Sequence, residues 1–258
     1  MKRILILTIL LMSSLAWAGS TTVVVGQVSS GAGGGDSALY TAATAIWDFE
    51  NNANDTKGTY NLTANNSPTY SSVDYKQGSY AASLDDASSQ YFSHADNDAF
   101  DIGTGTDWSI SFWIKCDDTT NGLHLMGKYA NMEGDGYRFT SHYSSGYGVA
   151  VWFYDGYGYE TAKTTVINND TWYHYVISHD VSEDNELTVW ISAGTFGSVE
   201  NAGAYNMDTD PDVNASALTV GAYNSTNTFS GLIDEVIFFN GTALNATQAE
   251  AIYNGNWR

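Results

Sequence analysis

Near the end of the chain, Phe229-Ser-Gly-Leu-Ile-Asp-Glu-Val-Ile-Phe-Phe239 is a run rich in β-branched and aromatic residues, closed by the turn signal Asn240-Gly241. Read as a strand, it sends Leu232, Asp234, Val236 and Phe238 to one face and Ile233, Glu235, Ile237 and Phe239 to the other. Both faces are mostly apolar, which suits a strand inside a stack of two layers. Asp234 and Glu235 are the exceptions. A carboxylate among apolar neighbours is costly unless it is paired, hydrogen-bonded or metal-bound, so Asp234 requires a partner.

The same kind of segment recurs from Ala45 onward, each piece short and separated by Asn, Gly, Asp and Ser clusters. The pieces are Ala45–Glu50, Tyr80–Leu84, Gln90–Ser93, Trp108–Lys115, Tyr137–Thr140, Tyr147–Tyr154, Trp172–Ser178, Glu186–Ile191 and Ala217–Gly221. Trp172–Ser178 and Glu186–Ile191 flank the acidic turn Glu183-Asp-Asn185 and read as a hairpin. One helix is expected, at the C-terminus: Asn245 fits the N-cap, Gln248 completes a capping box and Gly255 stops it. Many short strands with almost no helix specify an all-β fold, a two-sheet antiparallel jelly-roll sandwich with a short C-terminal helix.

Residues 1–18 stand outside that fold. Lys2 and Arg3, the apolar run Ile4–Met12 and Ala16-Trp17-Ala18 form a cleavable signal peptide, so export to a secreted or periplasmic location is expected. Residues 19–43, with Ser29-Ser-Gly-Ala-Gly-Gly-Gly35, read as a flexible leader or linker, and 44–258 as one domain. Cleavage removes two of nine basic residues and none of 29 acids, leaving 7 − 29 = −22. Such a surface repels phosphate backbones and anionic lipids, which excludes nucleic acid and membrane insertion as expected roles. Cys116 is the sole cysteine, so no internal disulfide forms and the core alone must hold the domain.

Several of these pieces, in this order and spacing, resemble the concanavalin A-like, laminin-G-like jelly rolls. They are Trp47-Asp-Phe-Glu50, Gly78-Ser-Tyr-Ala-Ala-Ser-Leu-Asp85, Trp108-Ser-Ile-Ser-Phe-Trp-Ile114, Thr171-Trp-Tyr-His174 and Phe229-Ser-Gly-Leu-Ile-Asp-Glu-Val236. The resemblance runs from about Ala45 to Trp257 and implies a recognition role toward glycans, proteins or cell surfaces. It also implies a structural calcium ion joining the last core strand to the N-terminal strand through Asp234. Asp48 and Glu50 are the acids on the N-terminal side able to contribute. Backbone N–H groups or a basic side chain remain the other possible partners of Asp234.

Catalysis finds little support. The glucanase branch of the resembled superfamily uses a Glu-x-Asp-x-x-Glu strand, and Glu133-Gly-Asp135 lacks the second glutamate. Glu183-Asp-Asn-Glu186 lies in an expected turn, where acids are ordinarily solvated. Asp208-Thr-Asp-Pro-Asp-Val-Asn214 has Val213 where a calcium loop needs glycine, and reads as a solvated acidic loop.

The ligand surface is expected in the tyrosine-rich stretch, at Tyr137, Tyr147, Trp152, Tyr154, Tyr157 and Tyr159. Phe139, Val151 and Phe153 are assigned to the space between the sheets. Trp152 and Tyr154 share a strand face two residues apart, about 6.8 Å, a spacing that suits two ring platforms under one extended ligand. The expected protein is therefore a non-enzymatic recognition domain for carbohydrate. A structural or adhesive surface protein, phage-derived or not, that binds other proteins is the alternative, and a divergent glycoside hydrolase the third reading.

Overall fold

The computed structural model describes residues 38–117, 124–129, 136–141, 149–154, 159–163, 167–183, 186–199, 204–206, 214–224 and 227–258. In chain order the strands begin with β1 (Ala45–Trp47), β2 (Thr63–Asn65), β3 (Thr69–Ser71), β4 (Ala81–Leu84) and β5 (Tyr91–His94). They continue with β6 (Trp108–Cys116), β7 (His124–Tyr129), β8 (Gly136–Ser141), β9 (Val149–Tyr154) and β10 (Tyr159–Lys163). Next are β11 (Trp172–Asp180), β12 (Glu186–Ala193), β13 (Thr195–Val199) and β14 (Ala204–Asn206). The last are β15 (Leu218–Val220), β16 (Ala222–Asn224), β17 (Asn227–Thr228) and β18 (Gly231–Asn240). Helix α1 (Ala38–Ala42) precedes them and α2 (Ala246–Tyr253) follows.

Two antiparallel sheets face one another, as the strand pattern requires. The first has the order β13-β12-β11-β6-β18-β4-β3, with β1 also paired to β18 and β14 to β12. The second has the order β10-β9-β8-β7-β15-β5-β2, and β16 pairs with β17 apart from both. The expected hairpin is present, with Asp180 opposite Glu186 between β11 and β12. Alternating residues from both sheets meet in the main core, among them Trp47, Phe92, Ile110, Phe112, Ile114, Tyr175, Ile177, Val220 and Phe238. Cys116 lies at its edge, where burial pushes the free thiol up to about 12.

The outer face of the first sheet carries a second core. Ile46, Val176, Ile237 and Phe239 project there and meet Leu244, Ala249, Ile252 and Trp257 from α2 and its flanks. The helix starts where the sequence places it, with Asn245 accepting from the Gln248 amide and the Gln248 side chain accepting from the Asn245 amide. Helix α1 covers another part of this face: Leu39, Tyr40 and Ala42 pack against the same cluster. Lys57 holds it there by donating to the carbonyls of Tyr40, Thr41 and Ala43. These contacts begin inside the segment read as a leader. The glycine run Ser29–Gly35 lies outside the described residues.

The organising strand departs from simple alternation. Its pairing with β6 shifts register between Asp234 and Ile237, and Glu235 takes a left-handed conformation at φ 51. This is a β-bulge, in which one extra residue re-aims everything after it. Ile233 therefore shares the main core with Val236 and Phe238, while Ile237 and Phe239 face the second core. The expected partition, with Ile233 on the side of Ile237, is corrected by that insertion.

Candidate functional site

The bulge gathers acids. Asp234 is fully buried, and its Oδ2 accepts from the amides of Lys76 (2.8 Å) and Gln77 (3.1 Å). Its Oδ1 is buried with no donor at hydrogen-bonding geometry. Burial pushes the carboxyl up to about 7 against the pull of the Gln77 and Lys76 amides, with the nearby Glu50 charge adding to the rise. Glu50 grips the same segment from the other side: its Oε1 accepts from Ser79 (2.8 Å) and Tyr80 (3.2 Å). Gly78 lies directly beneath, at φ +66, and a Cβ there would come within 1.8 Å of Oε1.

Asp48 and Glu235 form a separate arrangement around Arg258. The guanidinium takes Asp48 in a fork, at 3.0 and 2.8 Å, and also meets the Glu235 carboxylate, which is 3% exposed. Burial works against the Arg258 charge, but Glu235 and Asp48 outweigh it and raise its pKa. Of the three expected metal ligands, Asp234 and Glu50 come together on residues 76–80, and Asp48 is taken by arginine. Among the described residues, no group of three or more His, Cys, Asp or Glu side chains has metal-holding geometry. Calcium also accepts backbone carbonyls, and the orphaned Asp234 Oδ1 is an oxygen such an ion would use.

His174 is structural. It lies across from Trp113, its Nε2 meets the Ser111 hydroxyl at 2.9 Å, and its ring packs against Trp113 and Tyr253. Burial, with Lys76 adding to it, holds its pKa down at about 3. Asp55 is also a scaffold acid. It accepts from the backbone of Ile46, Lys57, Thr59 and Tyr60 and so fixes the loop after β1.

The tyrosine-rich stretch spans β8, β9 and β10 in the second sheet. Tyr137 is corrected from ligand candidate to core residue: it is 2% exposed and donates its hydroxyl to the Phe100 carbonyl. Alternation explains this, since Tyr137 shares an inward face with Phe139. Phe153 stands opposite Tyr137 and Val151 opposite Phe139 in register, which puts the positions of Trp152 and Tyr154 on the outer face. Trp152 stands opposite Arg138 and Thr161, and Tyr154 opposite Tyr159. Tyr147 and Tyr157 lie outside the described residues.

One outer-face row crosses all seven strands: Thr63, Ser93, Thr219, Gly127, Arg138, Trp152 and Thr161. Arg138, which the tyrosine pattern does not single out, is half-buried in this row with its guanidinium 5.2 Å from the Tyr129 ring centre. Its strand neighbour β7 escapes sequence reading because His124-Leu-Met-Gly-Lys-Tyr129 has no clean alternation.

The model of the concanavalin A-like lectin/glucanases superfamily, in its Laminin_G_3 form, matches residues 85–250. The chain belongs to this superfamily. No curated protein matches the sequence. Among solved structures, this superfamily member is similar to domain 4 of AbnA, a GH43 extracellular arabinanase from Geobacillus stearothermophilus, determined in complex with arabinotriose. The identity is 19% and the TM-score 0.65, over 82% of this chain and 98% of that domain. It is also similar to the binding domain of Paraclostridial Mosquitocidal Protein 1, at 15% identity and TM-score 0.61 over 82% of this chain and 51% of that one. The receptor binding domain of botulinum neurotoxin D matches at 14% identity and TM-score 0.59, over 84% and 53%. The superfamily member thus spans about half the length of the two toxin structures.

Proposed function

We propose that this chain is an exported, non-enzymatic recognition domain whose ligand is a carbohydrate held on the outer face of the second sheet. The observation that carries this reading is the unequal treatment of the two outer faces. Helices α1 and α2 and their apolar cluster cover much of the first. The second carries the row through Arg138 and the positions of Trp152, Tyr154 and Tyr159. Aromatic and hydrogen-bonding residues side by side suit sugar rings, which present C–H faces and hydroxyl edges. The arabinanase domain with its bound arabinotriose supports the same ligand class. Trp152 and Tyr154 act as ring platforms in this reading, and Arg138 as an orienting donor.

A structural calcium ion on Asp234 and Glu50 belongs to the same reading. It would neutralise the acids at the bulge and join β18 to the segment after β1. A ligand that binds only the native state adds about 2.7 kcal/mol at a hundredfold excess over Kd.

A glycan array that includes arabino-oligosaccharides, run with and without chelator, tests both parts. Trp152→Ala and Tyr154→Ala are expected to melt like the wild type and to lose glycan binding. Chelator is expected to lower the wild-type melting temperature and to leave Asp234→Asn unaffected. Unchanged glycan binding in both aromatic variants sinks the sheet-face site, and release of reducing sugar replaces the binding reading with catalysis. Indifference of the wild type to chelator removes calcium alone.

A further inference from the structure

The loop between β3 and β4 exposes apolar side chains on a fixed backbone. Val73 is 93% exposed and Tyr75 42%, and with Val181 they are the exposed large hydrophobic residues among those described. The loop is tied down between and beside them. The Asp74 amide donates to the Ser71 hydroxyl, and the Asp74 carboxylate accepts from Trp172 Nε1 (2.8 Å) and Lys115 Nζ (2.6 Å). Two residues on, the Lys76 and Gln77 amides are held by Asp234, and the Lys76 ammonium lies 4.3 Å from the Trp113 ring centre. An apolar pair on a pinned loop loses little freedom when a partner covers it, so the gain from burial is largely retained.

The surroundings say what kind of partner fits. Asp117 and Asp170 are exposed at the same end of the first sheet, and both act electrostatically on Lys115 together with Asp74. Asp74, Asp117 and Asp170 against Lys115 and Lys76 leave this rim net negative, 2 − 3 = −1, on a chain whose net charge is −20. The polar groups nearest the apolar pair, Asp74, Lys115 and the Trp172 indole N–H, already bond to one another. That pairing takes the loop's own Asp74 carboxylate out of use for reading sugar hydroxyls. It matches a protein contact instead, with an apolar centre and a charged rim.

We propose that Val73 and Tyr75 form the centre of a protein-docking surface whose partner presents an apolar segment flanked by lysine or arginine. The site is separate from the sheet face assigned to glycan, and neither depends on the other. The test pans a random peptide library against the full chain and measures the selected peptides by calorimetry. The chains compared are the wild type, Val73→Ser/Tyr75→Ser, Asp117→Asn/Asp170→Asn and, as a control at the other end of β11, Val181→Ser. Expected are peptides that pair apolar residues with Lys or Arg. They should weaken at least about tenfold on the Val73/Tyr75 variant, as removal of a central anchor does. The rim variant should bind them less tightly and with a shallower dependence on salt, and the control should bind normally. Peptides that bind the Val73/Tyr75 variant as tightly as the wild type overturn the proposal, as does the recovery of none with this composition. Loss of an array glycan by that variant, with peptide binding unchanged, reassigns the loop to sugar.

Discussion

Replacing Arg258 by methionine isolates the cost of one buried charge. In the wild type Glu235 is 3% exposed and its carboxylate meets the Arg258 guanidinium. Methionine keeps much of the packing volume and removes the charge, so Glu235 is left beside Asp48, Asp234 and Glu50 with no cation. Its cheapest escape is to take up a proton. From an ordinary glutamate value near 4.3, protonation costs roughly 4 kcal/mol at pH 7 and about 1 kcal/mol at pH 5. That is the ceiling on the penalty. Loss of the fork to Asp48 adds about 1 kcal/mol at most, because Asp48 keeps Thr56 as a donor.

The sign follows from proton linkage. Burial already raises the folded-state pKa of Glu235 well above its ordinary value in the wild type, against the pull of Arg258, and removing that pull raises it further, so the folded variant binds more protons than the folded wild type between those two values. Stability of the variant then falls as pH rises through that window, and the penalty relative to wild type grows. Thermal denaturation at pH 5 and pH 7 measures it directly. A drop of about ten degrees in melting temperature is expected at pH 7 and only a few at pH 5. Adding Glu235→Gln should recover most of the loss at pH 7, since the amide carries no charge to strand. A penalty equal at both pH values, or no recovery in the double variant, would refute a buried-charge origin.

Two other perturbations separate core from surface. Tyr137→Ala should cost roughly 3–5 kcal/mol in a urea melt and Tyr137→Phe about 1 kcal/mol, the worth of the bond to the Phe100 carbonyl; neutral behaviour of both would return Tyr137 to the ligand surface. Gly78→Ala should destabilise by about 1–3 kcal/mol, because it forces a side chain into a left-handed conformation and against Glu50. Glu50→Ala in the same background should lessen that cost by removing the clash.

What could be read from the sequence was what repeats locally. Strands β6, β11 and β18 run nine or ten residues, long enough for pattern to define them, and their expected bounds lie within two residues of the observed ones. The cap of α2 was legible for the same reason, since both halves of the capping box lie within four residues. Strands of two to six residues such as β2, β3, β7, β14 and β17 offer too few positions to show a period. Long-range partners leave no local trace. Asp234 required a partner, but its donors lie 157 and 158 residues away in sequence, and Arg258 is 210 residues from Asp48. Tyr137 is different. Its alternation with Phe139 was visible, and reading the two together would have assigned it to the core.

The acids that break the organising strand also explain how peripheral segments are held on the first sheet. A straight strand would have kept strict alternation; the bulge brings two consecutive carboxylates to the middle of the first sheet. Asp234 binds the loop after β3, and Glu235 with Asp48 binds the C-terminal arginine. Glu50 secures the turn before β4. Each bond draws a peripheral segment toward the outer face of the first sheet, where α1 and α2 also pack. The same anchoring ties down the loop that carries Val73 and Tyr75.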